Sequence, residues 1–288
     1  MTRWLVTGAR GQLGTELQAV LAGEQVRAVG RPELDVTDAT ALQAAVEEYR
    51  PEVIVNAAAY TAVDAAESNE QLAYRSNASA PAILASAAGR VGARLIHVST
   101  DYVFAGNGER PYEPSDEPDP RSAYGRTKLA GELAVRELLP AASYVVRTAW
   151  VYGAGGANFV KTMARLERER ETVSVVDDQR GSPTWAADLA RALVELARSS
   201  APAGVYHCTN SGDTTWCGFA RAIFEELGAD PDRVLPATTD AFPRPAPRPA
   251  YSVLSSRAWT AAGLTPLPGW RDALARAFAE SGAALRAS

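Results

Sequence analysis

Short runs of β-branched and aromatic residues punctuate the first half of the chain, separated by longer stretches whose apolar positions recur at helical spacing. Trp4–Thr7, Val26–Val29, Val53–Asn56, Leu95–Ser99 and Tyr144–Thr148 read as strands, with helical segments between them. These strands are apolar on both alternations, as expected when helices cover both faces of a sheet. The rhythm of strand, helix, strand predicts an α/β fold with a doubly wound parallel sheet. After Trp150 the regularity loosens: Asn158–Glu171 reads as an amphipathic helix, Val173–Val176 as a strand and Ala186–Arg198 as another helix. The expected division is a core over 1–150, with 173–200 returning to it, and a smaller C-terminal lobe built mostly from 151–172 and 201–288. Pro236, Pro243, Pro245, Pro247 and Pro249 stiffen a stretch that cannot enter a central strand. It reads either as a surface linker or as a loop walling a pocket.

Composition narrows the function classes. With 288 residues, 47% hydrophobic and 22% charged, the chain can bury a proper core. A formal net charge of −5, with no local run of lysine or arginine, removes the electrostatic footprint of a nucleic-acid binder. Cys208, Cys217, His97 and His207 lack the paired spacing of a structural zinc site or a disulfide framework, so two reduced, packed thiols are expected. The N-terminus enters a strand at once and no stretch of about 18 apolar residues occurs. The expectation is a cytoplasmic protein with neither a membrane nor a nucleic-acid partner.

Gly8-Ala9-Arg10-Gly11-Gln12-Leu13-Gly14 follows the first strand directly and opens the helix predicted over Thr15–Leu21. In that setting the glycines have separate tasks: Gly8 for the tight turn, Gly11 for close approach of a pyrophosphate, Gly14 for helix packing. Free amides at the helix start bind the anion. This is the dinucleotide-binding signature of a Rossmann core. Cofactor choice is read at the end of the second strand, where an acid binds a ribose 2′-hydroxyl and an arginine accommodates a 2′-phosphate. The sequence there is Gly30-Arg31-Pro32, so Arg31 points to NADPH, with NADH also usable. Asp35 contacts the adenosine or prepares the next helix. Asn56-Ala57-Ala58-Ala59 ends the Val53 strand in small residues that either line the adenine–ribose edge or simply pack.

Tyr124 and Lys128 are four residues apart, on one face of a helix. An ammonium beside a phenol lowers the phenol's pKa from near 10 and makes it a usable proton donor. With hydride from a nicotinamide and a proton from Tyr124, a ketone becomes an alcohol. Ser99-Thr100-Asp101-Tyr102-Val103-Phe104 closes the Leu95 strand at its carboxyl end, where open parallel sheets present ligands, and Thr100 can hydrogen-bond a substrate carbonyl. Trp150 is either an aromatic wall for a sugar or base, or a core aromatic.

Taken together, Gly8–Gly14, Asn56–Ala59, Ser99–Phe104 and the tyrosine/lysine pair resemble the extended short-chain dehydrogenase/reductases. More narrowly, Asn56–Asp64 (NAAAYTAVD), Tyr124–Glu132 (YGRTKLAGE), Arg147–Gly153 (RTAWVYG) and Asp178–Thr184 (DQRGSPT) resemble the dTDP-4-dehydrorhamnose reductase family over nearly the whole chain. The resemblance implies NAD(P)H-dependent reduction of the 4-keto group of a dTDP-4-dehydro-6-deoxyhexose, with dTDP-4-dehydro-L-rhamnose first in line. It implies Thr100, Tyr124 and Lys128 as the catalytic trio. Gly11, Gln12, Leu13, Asp35, Val36, Ala59, Tyr60 and Thr61 would surround the cofactor, and Thr100, Asp101 and Trp150 the sugar.

Several implications stay open. Asn77 serves a water relay in related reductases or is a helix kink. Glu16 matches a Mg²⁺-binding glutamate at a homodimer contact in some members, or is an exposed helix carboxylate. Arg244 and Arg248 pair with a diphosphate or are solvated, and Tyr251 stands where relatives carry a small polar residue. The related 4,6-dehydratases have Asp-Glu after the strand threonine; here Asp101 is followed by Tyr102, which favours reduction over dehydration. Alternatives are the same chemistry on another dTDP-deoxysugar in natural-product glycosylation, or a non-catalytic regulatory subunit of the methionine adenosyltransferase beta type. A tuned phenol has no use in the latter.

Overall fold

The computed structural model describes residues 1–31 and 33–287, so Pro32, which follows Arg31 in sequence, lies outside the described residues. From the N-terminus, β1 (Arg3–Thr7), α1 (Gln12–Val20), β2 (Gln25–Val29), α2 (Ala39–Tyr49), β3 (Val53–Asn56), α3 (Ala80–Val91), β4 (Arg94–Thr100), α4 (Ala123–Leu138) and β5 (Ser143–Thr148) alternate as the periodicity predicts. There follow α5 (Phe159–Glu169), β6 (Val173–Val176), α6 (Ala186–Arg198), β7 (Gly204–His207), α7 (Trp216–Leu227), β8 (Val234–Ala237) and α8 (Trp270–Arg286).

Six strands form one sheet in the order β7-β5-β4-β3-β1-β2, every neighbouring pair parallel. The apolar residues on alternate positions go to opposite faces. Trp4, Val6, Val55, Ile96 and Val146 pack under Leu13 and Leu17 of α1 and Leu189 and Leu193 of α6. Leu5, Ile54, Leu95 and Val145 pack under Leu42 and Val46 of α2, Leu84 of α3 and Val135 of α4. The fold is a doubly wound Rossmann sheet, and the strand order reverses at β1, with β2 on one side and β3 on the other, which opens a crevice at the carboxyl ends of the strands.

Two placements differ from the sequence reading. Within 173–200, α6 packs against α1, but β6 pairs in parallel with β8, Val175 opposite Pro236, in a separate two-stranded sheet. Proline is tolerated there because the strand has a free edge. Conversely β7, expected in the lobe, is the sixth strand of the main sheet, with Tyr206 opposite Val146. Gly-Val-Tyr-His is too short to register as a periodic signal. A second core, with Met163, Trp185, Phe219, Phe224, Leu274 and Phe278, joins α5, α7 and α8 into the C-terminal lobe. Asn158 caps α5 by accepting from the Lys161 amide. No helix among the described residues is long and apolar enough to cross a membrane.

Candidate active site

The glycine loop is built as its spacing requires. Gly8 has φ +73°, and a Cβ there would meet the Ala57 and Ala58 backbone at 2.7 Å; one at Gly14 would stand 2.1 Å from the Gly8 carbonyl oxygen. Gly11, extended at φ −78° and ψ 170°, caps α1 without a side chain. The helix therefore begins at Gln12, three residues before the sequence reading placed it, and its first-turn amides face the crevice.

A cleft of about 790 Å³ runs from this loop along the strand ends. Gly8, Gly11, Gln12, Leu13, Gly14, Arg31, Val36, Ala59, Tyr60, Thr61, Thr100, Asp101, Tyr124, Lys128 and Trp150 all line it. Among the expected cofactor contacts, Asp35 alone is absent from the lining. Its carboxylate is held instead by the Thr37 amide and hydroxyl at 2.9 and 2.8 Å, in the turn before α2, and α2 itself is capped by Asp38. Arg31 approaches Asp35 at 4.0 Å and is largely exposed.

Ser122 caps α4 by accepting from the Gly125 amide, which puts Tyr124 in the first turn and Lys128 one turn on. Gly125 lets this turn close on the backbone after β4, since a Cβ would lie 2.2 Å from the Tyr102 carbonyl oxygen. Thr100 Oγ1 donates to Asp101 Oδ1 at 2.9 Å and accepts from the Tyr102 amide, and its hydroxyl acts on the neighbouring Tyr124 phenol. Burial pushes the Tyr124 phenol up to about 12, opposed by the Thr100 hydroxyl. Burial likewise raises Asp101 to about 6, opposed by the hydroxyls of Ser252 and Thr100, and lowers Lys128 to about 8.

The expectation that Lys128 lowers the phenol is not met in the protein alone. Among the described residues no hydrogen bond joins the two: Lys128 Nζ donates to the Val98 carbonyl at 2.6 Å and stands 3.5 Å from His97 Nε2. One helical turn aligns the two residues, but the long lysine side chain finds its partners on β4.

Around this centre, Asn77 sits in a π-helical turn, Arg75–Ser79, accepts from the Tyr60 amide and donates to the Tyr60 carbonyl and Thr127 Oγ1. It fastens the loop after β3 to α4. Trp150 has φ +48°, a backbone conformation costly for a bulky residue, and stacks on Trp216 with ring centroids 3.6 Å apart. It walls the cleft, and a Cβ on Gly181 would lie 2.5 Å from its indole.

A second cavity of about 630 Å³ adjoins, sharing Tyr102 and Trp216 with the first and lined further by Asp64, Gln179, Arg244 and Arg248. The proline-rich stretch forms its wall. Arg248 bridges to Asp64 at 2.8 Å, and the Ala246 amide donates to the same carboxylate. Tyr251 lies outside both linings and joins Asn107 and Arg180 by backbone bridges.

Glu16 is raised by burial and faces Arg191 and Glu280. Arg191 also pairs with Glu280 at 3.7 Å, and no group of three or more His, Cys, Asp or Glu that could hold a metal ion occurs among the described residues of this chain. The sequence reading missed Trp216, Gln179, the buried Glu132–Arg147 pair at 2.7 Å, and Gly131, where a Cβ would meet the Asn77 carbonyl oxygen at 2.0 Å. Two glycines in one helix, each costing about 1 kcal/mol against alanine, were the available signal for close packing.

Comparison with known proteins agrees with this construction. The family model described as RmlD substrate binding domain matches residues 2–282. A dTDP-4-dehydrorhamnose reductase of Streptomyces griseus is 55% identical over 282 residues, 96% of this chain and 93% of that protein. A dTDP-4-keto-6-deoxy-D-glucose reductase of Streptomyces niveus is 50% identical over 278 residues, 96% of each chain. The crystal structure of dTDP-4-dehydrorhamnose reductase from Bacillus anthracis in complex with NADP superposes with a TM-score of 0.93 at 42% identity, covering 97% of this chain and 99% of that one. The chain belongs to the dTDP-4-dehydrorhamnose reductase family.

Proposed function

We propose that this protein reduces the 4-keto group of a dTDP-4-dehydro-6-deoxyhexose with NAD(P)H, dTDP-4-dehydro-L-rhamnose giving dTDP-L-rhamnose. The observation that carries this reading is the convergence, in one cleft, of the glycine loop with the Tyr124 hydroxyl, the Thr100 hydroxyl and the Lys128 ammonium. The named reductases at 50% identity or above and the NADP complex of a relative support it.

In this reading the loop amides of α1 hold the pyrophosphate, and Arg31 at the cleft's edge favours a 2′-phosphate, hence NADPH over NADH. A reduced nicotinamide, when bound, supplies the hydride to C4. Thr100 holds the carbonyl oxygen, and Tyr124 donates its proton to that oxygen as charge develops on it. Burial leaves the phenol protonated at neutral pH, as a proton donor must be. Lys128 keeps a positive charge at the base of the cleft, Asp101 and Trp150 contact the sugar, and the second cavity takes the nucleoside diphosphate with Arg248 and Arg244 on its wall.

The test is a panel of dTDP-4-ketosugars with NADPH and with NADH, followed at the nicotinamide absorbance with product stereochemistry determined. The reading predicts turnover of dTDP-4-dehydro-L-rhamnose, faster with NADPH. No turnover of any such sugar would remove it. Preference for the D-glucose-derived ketosugar would transfer the specificity to the reaction named for the Streptomyces niveus relative.

A further inference from the structure

Beneath the cleft lies a row of polar side chains where the sheet would ordinarily be apolar. Thr7 of β1, Asn56 of β3 and His97 of β4 are register partners on three adjacent strands, all at most 2% exposed. They share the face occupied, one pleat earlier, by the apolar row Leu5, Ile54 and Leu95. Burying three polar side chains there is costly unless they are bonded, and each has a partner within the row. Thr7 Oγ1 donates to Asn56 Oδ1 at 2.6 Å, and Asn56 Nδ2 meets His97 Nδ1 at 3.0 Å. The other ring nitrogen, Nε2, faces Lys128 Nζ at 3.5 Å, and Gly131 lets α4 close over the imidazole, its notional Cβ only 3.4 Å from Nε2.

This chain of contacts gives the ring a defined state. Burial and the Lys128 charge keep His97 neutral, so one nitrogen accepts and the other carries the proton. With Asn56 Oδ1 occupied by the Thr7 hydroxyl, Nδ2 donates to Nδ1 and the ring proton lies on Nε2, toward the lysine. An N–H aimed at an ammonium repels it, while the Val98 carbonyl at 2.6 Å draws it in.

We propose that His97 is a positioning residue for Lys128: the row Thr7–Asn56–His97 locks the imidazole, and Nε2 acting against the Val98 carbonyl fixes where the ammonium stands at the base of the cleft. The proposal rests on the catalytic reading of Lys128 given above. It extends the site inward by three residues, none of which touches substrate.

The experiment compares His97→Asn, which keeps a polar atom where Nδ1 was, with His97→Gln, which keeps one where Nε2 was, and with Lys128→Met, in steady-state assays with NADPH and the ketosugar. The ring ¹⁵N shifts of His97 are recorded in the wild type and in Asn56→Leu. We expect His97→Asn to lose about tenfold or more in kcat with the sugar KM unchanged, and His97→Gln to recover most of the loss. A ring protonated on Nε2 in the wild type, and a mixture of tautomers in Asn56→Leu, is the expected spectrum. Wild-type kcat in His97→Asn alongside collapse in Lys128→Met would overturn the proposal and leave the catalytic reading intact. Equal losses in the two histidine variants, tracking loss of thermal stability, would show a structural role and overturn it as well. Wild-type turnover in Lys128→Met would instead overturn the catalytic reading, and a proton found on Nδ1 would refute the locked ring independently of any rate.

Discussion

Asp101 is a carboxyl group enclosed beside Thr100 and Ser252, and its titration gives the site a signature in stability. Its pKa is raised from 3.8 to about 6 in the folded protein, chiefly by burial. The folded state therefore binds the proton more tightly than the unfolded chain. The stability this confers is fully present below pH 4 and is lost as pH rises through 6. Asp101→Asn removes the titration, so the free energy of unfolding of the wild type, relative to this variant, should fall by up to about 3 kcal/mol between pH 4 and 7. Urea unfolding at a series of pH values measures this; a difference that stays flat would mean that the carboxyl is solvated. At this scale the chemistry-bearing residues were readable because their types are rare in such company: a phenol and an ammonium one turn apart, and a Thr-Asp at a strand end. The partner of Lys128 was not readable. His97 is a single histidine in an apolar strand, and only the pairing of β4 with β3 reveals that Asn56 stands beside it.

For helices and strands, legibility followed length. Helix α6 falls on the predicted residues, Ala186–Arg198, because thirteen residues repeat an apolar stripe against α1. Strand β7 went unread because four residues beginning with glycine carry no period, and membership of a parallel sheet is decided by a neighbour 60 residues away in sequence, β5. The placement of α4 depends on its glycines, which periodicity treats as defects. Gly131→Ala tests this. Alanine gains about 1 kcal/mol in helix propensity, yet its Cβ would sit 2.0 Å from the Asn77 carbonyl oxygen, so the helix must move off the loop after β3. A net destabilisation of about 2 kcal/mol is expected by urea unfolding. A variant more stable than the wild type would show that α4 is not seated so closely.

Across the whole molecule, the sheet presents the glycine loop, β4 and α4 to the cleft, Trp150 and Trp216 line it as well, and the proline-rich stretch walls the adjoining cavity. The sequence left that wall undecided between linker and pocket, since prolines specify an extended chain and not what it lies against. Its anchor, Arg248 to Asp64, joins residues 184 apart and is invisible to local pattern. Cutting it with Arg248→Ala should raise the KM for the dTDP-sugar about tenfold, an effect of about 1.4 kcal/mol, and leave the NADPH KM within twofold. An unchanged sugar KM would put the nucleotide elsewhere. Protonation of the carbonyl oxygen by Tyr124 as hydride reaches C4 is checked with NADPH carrying deuterium at both C4 positions of the nicotinamide. NMR of the sugar product from dTDP-4-dehydro-L-rhamnose should show deuterium at its C4 with the wild-type protein and, at equal time, none with Tyr124→Phe, although that variant still binds NADPH. Product formed without deuterium, or labelled at the wild-type rate by Tyr124→Phe, would contradict it.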